Sequence, residues 1–244
     1  MSRLTPGAKR VIRWTADRLL GELIGSVVSV STDDQIVVLT YDDGPDPAST
    51  PQVLNELSRL GLTATFFVLV DRAREHPELL LRVRDEGHQI GLHGLDHRRL
   101  TDMSKEAAHD HMATGKRELE RLLTEPITLF RPPYGAQSVH TLRSARQLGL
   151  TTVLWTASVW DWKSVPQRER VENALVGCRP GAILLAHDAF GTSPGDGSGD
   201  EPEVDRAELL AMLTDALGEK GYRLVSLAAG LNRGPAVRTV VLSR

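Results

Sequence analysis

Short apolar runs alternate with longer amphipathic stretches from Ile36 almost to the C-terminus, and this alternation leaves few folds open to the chain. The runs are "IVVLTY", "ATFFVLV", "HQIGLH", "ITLFRP", "TTVLWTA", "AILLAHD" and "YRLVSL". Between them the spacing of apolar residues predicts helices at about 49–60, 76–86, 104–123, 139–148, 167–177 and 205–220. Strand and helix in repeated succession predict parallel strands joined by helical crossovers. The glycines of "RLGL", "DEGH", "QLGL" and "EKGY" stand where a helix must stop before the next strand, as C-capping glycines do. An open doubly wound sheet and a barrel share this string of elements. Polar residues separate them: Asp42 and Asp43, His93, Arg131, Asp161 and His187 all fall at or just past strand C-termini, where a barrel gathers its site.

A length of 244 residues suits one such domain, expected over residues 36–244. Residues 1–35 read as an amphipathic helix, with Val11, Ile12, Ala16, Leu19, Leu20 and Ile24 near helical spacing, and a connector packed on the domain. Charges at Arg13, Asp17, Arg18 and Glu22 break any signal-like apolar core, so the expected location is the cytoplasm, although a signal removed before the numbering would leave no trace. No run approaches the ~20 apolar residues of a membrane span. A net charge of -3 without a basic stripe argues against a nucleic-acid partner. The single cysteine, Cys178, excludes an internal disulfide framework and a cysteine-based zinc cluster. The Gly/Ser/Pro-rich stretch 190–203 follows a strand end and is expected as a mobile loop at the rim of a site.

"HGLDH" places His93 and His97 four residues apart, so on a helical turn both imidazoles reach one ion. Two independent surface histidines share that spacing. Asp43 tips the balance, because two neutral histidines and a carboxylate make a three-ligand hydrolytic centre with positions open for water and substrate. Asp42 is then a second carboxylate placed to act as general base, whereas "DDGPD" alone is also an ordinary polar turn. In "RPPYG" two prolines stiffen the chain around Arg131, which could grip a carboxylate bidentately, and Tyr134, whose backbone N–H could meet an oxyanion. A rigid loop with a packed tyrosine fits the same residues. "WDW" and "LLAHD" contribute Asp161 and His187; a histidine backed by a carboxylate stays protonated and can serve as general acid. Trp160 and Trp162 are core aromatics, a sugar-stacking wall, or one of each. His76, His88, His109, His111 and His140 are assigned to surface or packing, His88 because it lies an odd number of residues from His93 along one strand.

"TYDDGPD", "HGLDH", "RPPYG", "WDW" and "LAH" together resemble, in order and approximate spacing, the five motifs of the polysaccharide deacetylases with the NodB homology domain, carbohydrate esterase family 4. The resemblance covers roughly residues 36–228. It implies a distorted (β/α) barrel of about seven parallel strands and metal-dependent removal of N-acetyl or O-acetyl groups from an acetylated carbohydrate substrate. It implies that Asp42 is the base, that Asp43, His93 and His97 hold one divalent ion (Zn2+ first, with Co2+, Ni2+ or Mn2+ as alternatives), and that Arg131 pairs with Asp42. Tyr134 would supply the oxyanion N–H, Asp161 would orient the acid His187, and Leu185 and Trp162 would line the acetyl pocket. Three positions depart from the family pattern: Gly94 stands where a Ser or Thr usually holds the histidine loop, Ser158 where an Asp usually opens the fourth motif, and Tyr41 where Phe is commoner.

Overall fold

The structure is a computed structural model, and it describes residues 25–191 and 202–243. The amphipathic helix expected before residue 25, and most of the 190–203 stretch, lie outside the described residues. Among the described residues ten strands form one sheet: β1 (Ser26–Val30), β2 (Ile36–Asp42), β3 (Thr65–Leu69), β4 (Gln89–Gly94), β5 (Leu129–Phe130), β6 (Thr151–Thr152), β7 (Ala157–Ser158), β8 (Ala182–His187), β9 (Arg223–Val225) and β10 (Ala236–Thr239). The main path runs β10-β1-β8-β2-β3-β4-β5-β6, with β7 on β8 and β9 on β2. From β8 through β6 the pairs are parallel, as the alternation predicts. Beyond β6, Val153 bridges Val27 of β1, bringing the ends of the path together as a distorted barrel.

Each of the seven predicted runs carries a strand. Strands β1 and β10 were not anticipated: "SVVSV" lies in the stretch read as connector, yet it pairs antiparallel with both β10 and β8. Strand β6 is only two residues long because the chain leaves β5 to reach β1 and β8, with Leu154 N donating to Val27 O and Thr156 N to Ile183 O.

The long helices match their predicted spans within two residues: α1 (Thr50–Leu60), α3 (Pro77–Asp85), α4 (Lys105–Leu123), α5 (Val139–Gln147), α6 (Gln167–Gly177) and α7 (Arg206–Glu219). Short α2 (Val70–Glu75) and α8 (Leu227–Leu231) join them. Side-chain oxygens cap the starts of several, Ser104 accepting from Ala107 N, Ser138 from Thr141 N and Asp205 from Glu208 N. Gly61, Gly87, Gly149 and Gly221 all have φ between 64° and 82°, the left-handed conformation expected of capping glycines.

Alternation along each strand builds two cores. Outward residues such as Val37, Leu39, Tyr41, Phe66, Val68, Leu92 and Leu184 pack under the helices. Inward residues Val27, Val38, Phe67, Leu129, Val153 and Ile183 fill the barrel. Truncating a residue such as Phe67 to Ala would cost roughly 3–5 kcal/mol on the general scale for buried aromatics. Above this apolar layer the same inward positions become polar. On β2 the series is Val38, Thr40, Asp42; on β8 it is Ile183, Leu185, His187. The barrel is thus greasy at its floor and ionisable at its mouth.

Candidate active site and metal centre

Asp42 and His187 are register partners on adjacent parallel strands, so the expected base and acid open side by side at the barrel mouth. Asp42 is buried, and its Oδ1 accepts from Arg131 Nη1 at 2.7 Å. Arg131 is wholly buried; it also donates to Thr40 Oγ1 at 2.8 Å and to the carbonyls of Val153 (3.2 Å) and Leu154 (3.3 Å). Its guanidinium lies over the rings of Phe67 and Trp155. Burial lowers its pKa and the Asp42 charge opposes the shift. The bidentate grip expected of this arginine is not what forms. One N–H reaches Asp42, and the rest of the fork satisfies Thr40 and the carbonyls where the chain leaves β6.

Asp43 follows in a left-handed turn, φ 80°, with its N–H on Phe67 O. Strand β8 braces that turn: Asp188 N donates to Asp42 O, and its carboxylate accepts Gly44 N (3.2 Å) and Thr50 Oγ1 (2.5 Å). Any side chain at residue 44 would run into that carboxylate. Burial raises Asp188 to about 6, partly offset by the Thr50 hydrogen bond. Sequence reasoning quoted Asp188 in "LLAHD" without assigning it a role; its adjacency to His187 was the available signal.

His93 sits where the β3–β4 register skips, Val68 pairing with Leu92 and Leu69 with Gly94, a bulge that turns its ring toward Asp43. Its Nδ1 meets Arg131 O at 2.7 Å, which fixes the proton on Nδ1 and leaves the Nε2 lone pair facing the cleft. His93 Nε2 lies 3.2 Å and His97 Nε2 3.4 Å from Asp43 Oδ1. One ligand atom from each of these three buried residues lies within 4.8 Å of the others. Burial pushes His97 down to about 4, so its ring is neutral at pH 7. Burial alone would raise Asp43, but the imidazoles of His93, His187 and His97 around it hold it below the usual carboxylate range. Asp43 Oδ1 is buried without a hydrogen-bond partner. A carboxylate with one orphaned oxygen and two imidazole Nε2 atoms converging on it fit a divalent cation.

On the opposite wall Asp161 uses both oxygens on His187, Oδ1 to ring Nδ1 at 2.6 Å and Oδ2 to the backbone N at 2.7 Å. Burial disfavours the imidazolium, yet the charge and hydrogen bond of Asp161, joined by the charges of Asp43 and Asp42, hold His187 up at about 9. Trp162 meets the His187 ring edge-on and is 40 % exposed. Trp160, in contrast, is half-buried under Lys163 and does not line the cleft. Tyr134 occupies a left-handed turn (φ 60°) between Pro133 and Gly135, and its ring lies tilted at 48° against that of His97, centroids 4.3 Å apart.

The cleft between these walls has a volume of about 720 Å³ and holds every expected site residue except the wholly buried Arg131 behind Asp42. It also includes Trp155, Phe190 and Arg206, which sequence reasoning missed because they belong to no polar cluster. The departures fall outside the chemistry. Tyr41 points to the outer core and stacks on Phe66. Ser158 Oγ accepts from Trp160 N. Gly94 adopts φ 141°, and a Cβ there would press to 2.7 Å from Asp96 O, so this loop excludes the usual hydroxyl residue.

The family model described as polysaccharide deacetylase matches residues 29–153. A peptidoglycan-N-acetylglucosamine deacetylase of Bacillus cereus is 33 % identical over 82 % of this chain and 89 % of its own length. A chitooligosaccharide deacetylase of Azorhizobium caulinodans is 31 % identical over 84 % of this chain and 99 % of its own. The crystal structure of a peptidoglycan N-acetylglucosamine deacetylase bound to an N-oxidanyl-benzamide superposes with a TM-score of 0.75 at 28 % identity, covering 90 % of this chain and 97 % of that one. An α/β barrel of this topology, carrying those five motifs around one cleft, belongs to the polysaccharide deacetylase family, carbohydrate esterase family 4, hydrolases acting on carbon–nitrogen bonds.

Proposed function

We propose that this chain removes N-acetyl groups from an N-acetylated sugar carried on an oligosaccharide, polysaccharide or glycoconjugate, with Zn2+ as its cation. The observation that carries the reading is the two-walled cleft: an underbonded Asp43–His93–His97 donor set and Asp42 on one side, the Asp161–His187 pair on the other. Relatives named as N-acetylglucosamine and chitooligosaccharide deacetylases support the substrate class.

A cation held by Asp43, His93 and His97 supplies Lewis-acid polarisation of the acetyl carbonyl and acidifies the attacking water. Asp42 takes the proton from that water, and the Arg131 contact holds the carboxylate in place until it does. The backbone N–H of Tyr134, in its left-handed turn, receives the oxyanion. His187, held as the imidazolium by its pairing with Asp161, delivers a proton through Nε2 to the departing amine, so the C–N bond breaks to acetate and a free amino sugar. Leu185 and Trp162 wall the space for the acetyl methyl.

The test is acetate release from N-acetylglucosamine conjugates, chitooligomers and muropeptides, with and without chelator. Release that the chelator abolishes and Zn2+ restores is expected. Metal-loaded protein that releases acetate from none of them would overturn the reading.

A further inference from the structure

The two histidines of the donor set are held in different ways. His93 lies on β4 with its Nδ1 tied to Arg131 O. His97 has no such tie: its Nδ1 is buried without a partner, and its ring rests on Tyr134. Its position therefore depends on the loop that carries it. That loop begins at Gly94, which contributes no side chain; Leu95 O accepts from Asp71 N at 2.9 Å, and next to His97 the loop is held through the side chain of Asp96. Asp96 Oδ1 accepts from Arg98 N at 3.1 Å and lies 3.1 Å from His111 Nε2; Oδ2 accepts from Arg98 Nε at 2.8 Å. Arg98 is exposed, and exposed ion pairs hold geometry weakly. His111 is buried at 7 % exposure on α4. One helical turn on, Gly115 lets α4 close onto the loop, since a Cβ there would lie 3.1 Å from Leu92 Cδ1 and 3.5 Å from Leu95 N. His111 Nδ1 has no hydrogen-bond partner, and an ionised carboxylate only accepts, so the contact requires the proton on Nε2.

We infer that His111 is a positioning residue for the metal centre: by donating Nε2–H to Asp96 it locks the 94–97 loop and so sets where His97 presents its ligand atom. The inference rests on the metal reading of Asp43, His93 and His97. It assigns a task to a histidine outside the five motifs, and it explains how a loop starting with glycine stays in place. Partners of metal-ligating groups typically alter affinity by roughly 10–100-fold when removed.

The experiment measures Zn2+ affinity of the apo-protein by competition with a chelating indicator, beside the thermal midpoint of the apo-protein. H111L should bind Zn2+ roughly 10–100-fold more weakly, and H111Q, which keeps an N–H within reach of Asp96, should recover most of the loss. D96A should weaken binding similarly, and H111L should add nothing in the D96A background, because both remove one contact. H111L with affinity within about twofold of wild type would overturn the inference, as would effects of H111L and D96A that multiply. If H111L does not fold, H111F, which keeps a ring but has no N–H to donate, takes its place: weaker binding that D96A/H111F does not deepen supports the shared contact, and wild-type affinity in H111F or a further drop in the double variant refutes it. Wild-type protein that takes up no Zn2+ would overturn the metal reading itself, an outcome distinct from wild-type and H111L proteins binding equally well.

Discussion

The two walls of the cleft solve opposite electrostatic problems. On the acid wall every strong group is paired within the protein: Asp161 spends both oxygens on His187, and His187 O accepts from Arg206 Nε. On the metal wall, Asp43 Oδ1 and His97 Nδ1 are buried without hydrogen bonds, and the Nε2 atoms of His93 and His97 lie 3.2 and 3.4 Å from that oxygen. A buried polar atom without a partner costs roughly 1–3 kcal/mol, so such a cluster persists where an outside partner repays it. The Asp161–His187 wall pairs its groups within the protein, with the Asp42 and Asp43 charges adding to the hold on the imidazole, while the Asp43–His93–His97 wall leaves buried polar atoms without a partner.

The sharpest way to break this contrast is to remove one group from the metal wall. His93→Ala should lose both metal uptake and activity, whereas Asp42→Asn should retain metal and lose activity by roughly 10²–10⁴-fold, the usual worth of a general base. Metal analysis beside acetate release checks both, and full occupancy with turnover in His93→Ala would refute the ligand assignment. On the acid wall, Asp161→Asn should leave metal uptake unchanged while lowering kcat. Asp161 is what holds His187 up at about 9, so the variant's alkaline limb should move toward lower pH. The sign follows from the raised pKa: the imidazolium is present below the limb and lost as pH rises through it, together with the stability its pairing contributes. A pH profile of kcat with an unmoved alkaline limb would separate Asp161 from the acid.

Between the walls, Asp188 ties the end of β8 to the Asp42–Asp43 turn. Asp188→Ala strands Gly44 N and the Thr50 hydroxyl in a buried site and should cost roughly 1–3 kcal/mol in denaturant unfolding. An unchanged unfolding midpoint would show the turn to be held by its backbone alone. The smallest effect is expected at Trp162, whose ring is half-exposed beside His187. Trp162→Ala should raise KM severalfold, in line with roughly 0.5–1.5 kcal/mol for an aromatic contact, with a smaller change in kcat. A large fall in kcat at constant KM would instead place the indole in the transition state.

Much of this was legible in the residues. Helix limits could be read because periodicity and left-handed glycine stops act over a few residues, as at Gly61 and Gly149. The seven runs were legible as strands for the same reason, and so was the clustering of Asp42, Asp43, His93, Arg131, Asp161 and His187 at strand ends. Strands β1 and β10 were not, because "SVVSV" becomes a strand only by pairing with residues near 182 and 236–239. The monodentate Arg131 contact, the Asp188 brace and the His111–Asp96 contact were hidden likewise. Each joins groups on different elements, and no local pattern records which partner a buried polar atom finds.

By itself the sequence determined the alternation of seven apolar runs with six long helices, the residue types that can bind a cation or carry a proton, and the family to which their motifs point. Those follow from local stereochemistry and side-chain chemistry. Only the tertiary structure decided that Asp42 faces His187 across one strand pair, that Asp43 Oδ1 lies 3.2 Å and 3.4 Å from two imidazoles, and that Asp161 raises the one histidine on the far wall. Protonation and ligand geometry are properties of burial and of neighbours distant in the chain, and these exist only once the barrel has closed.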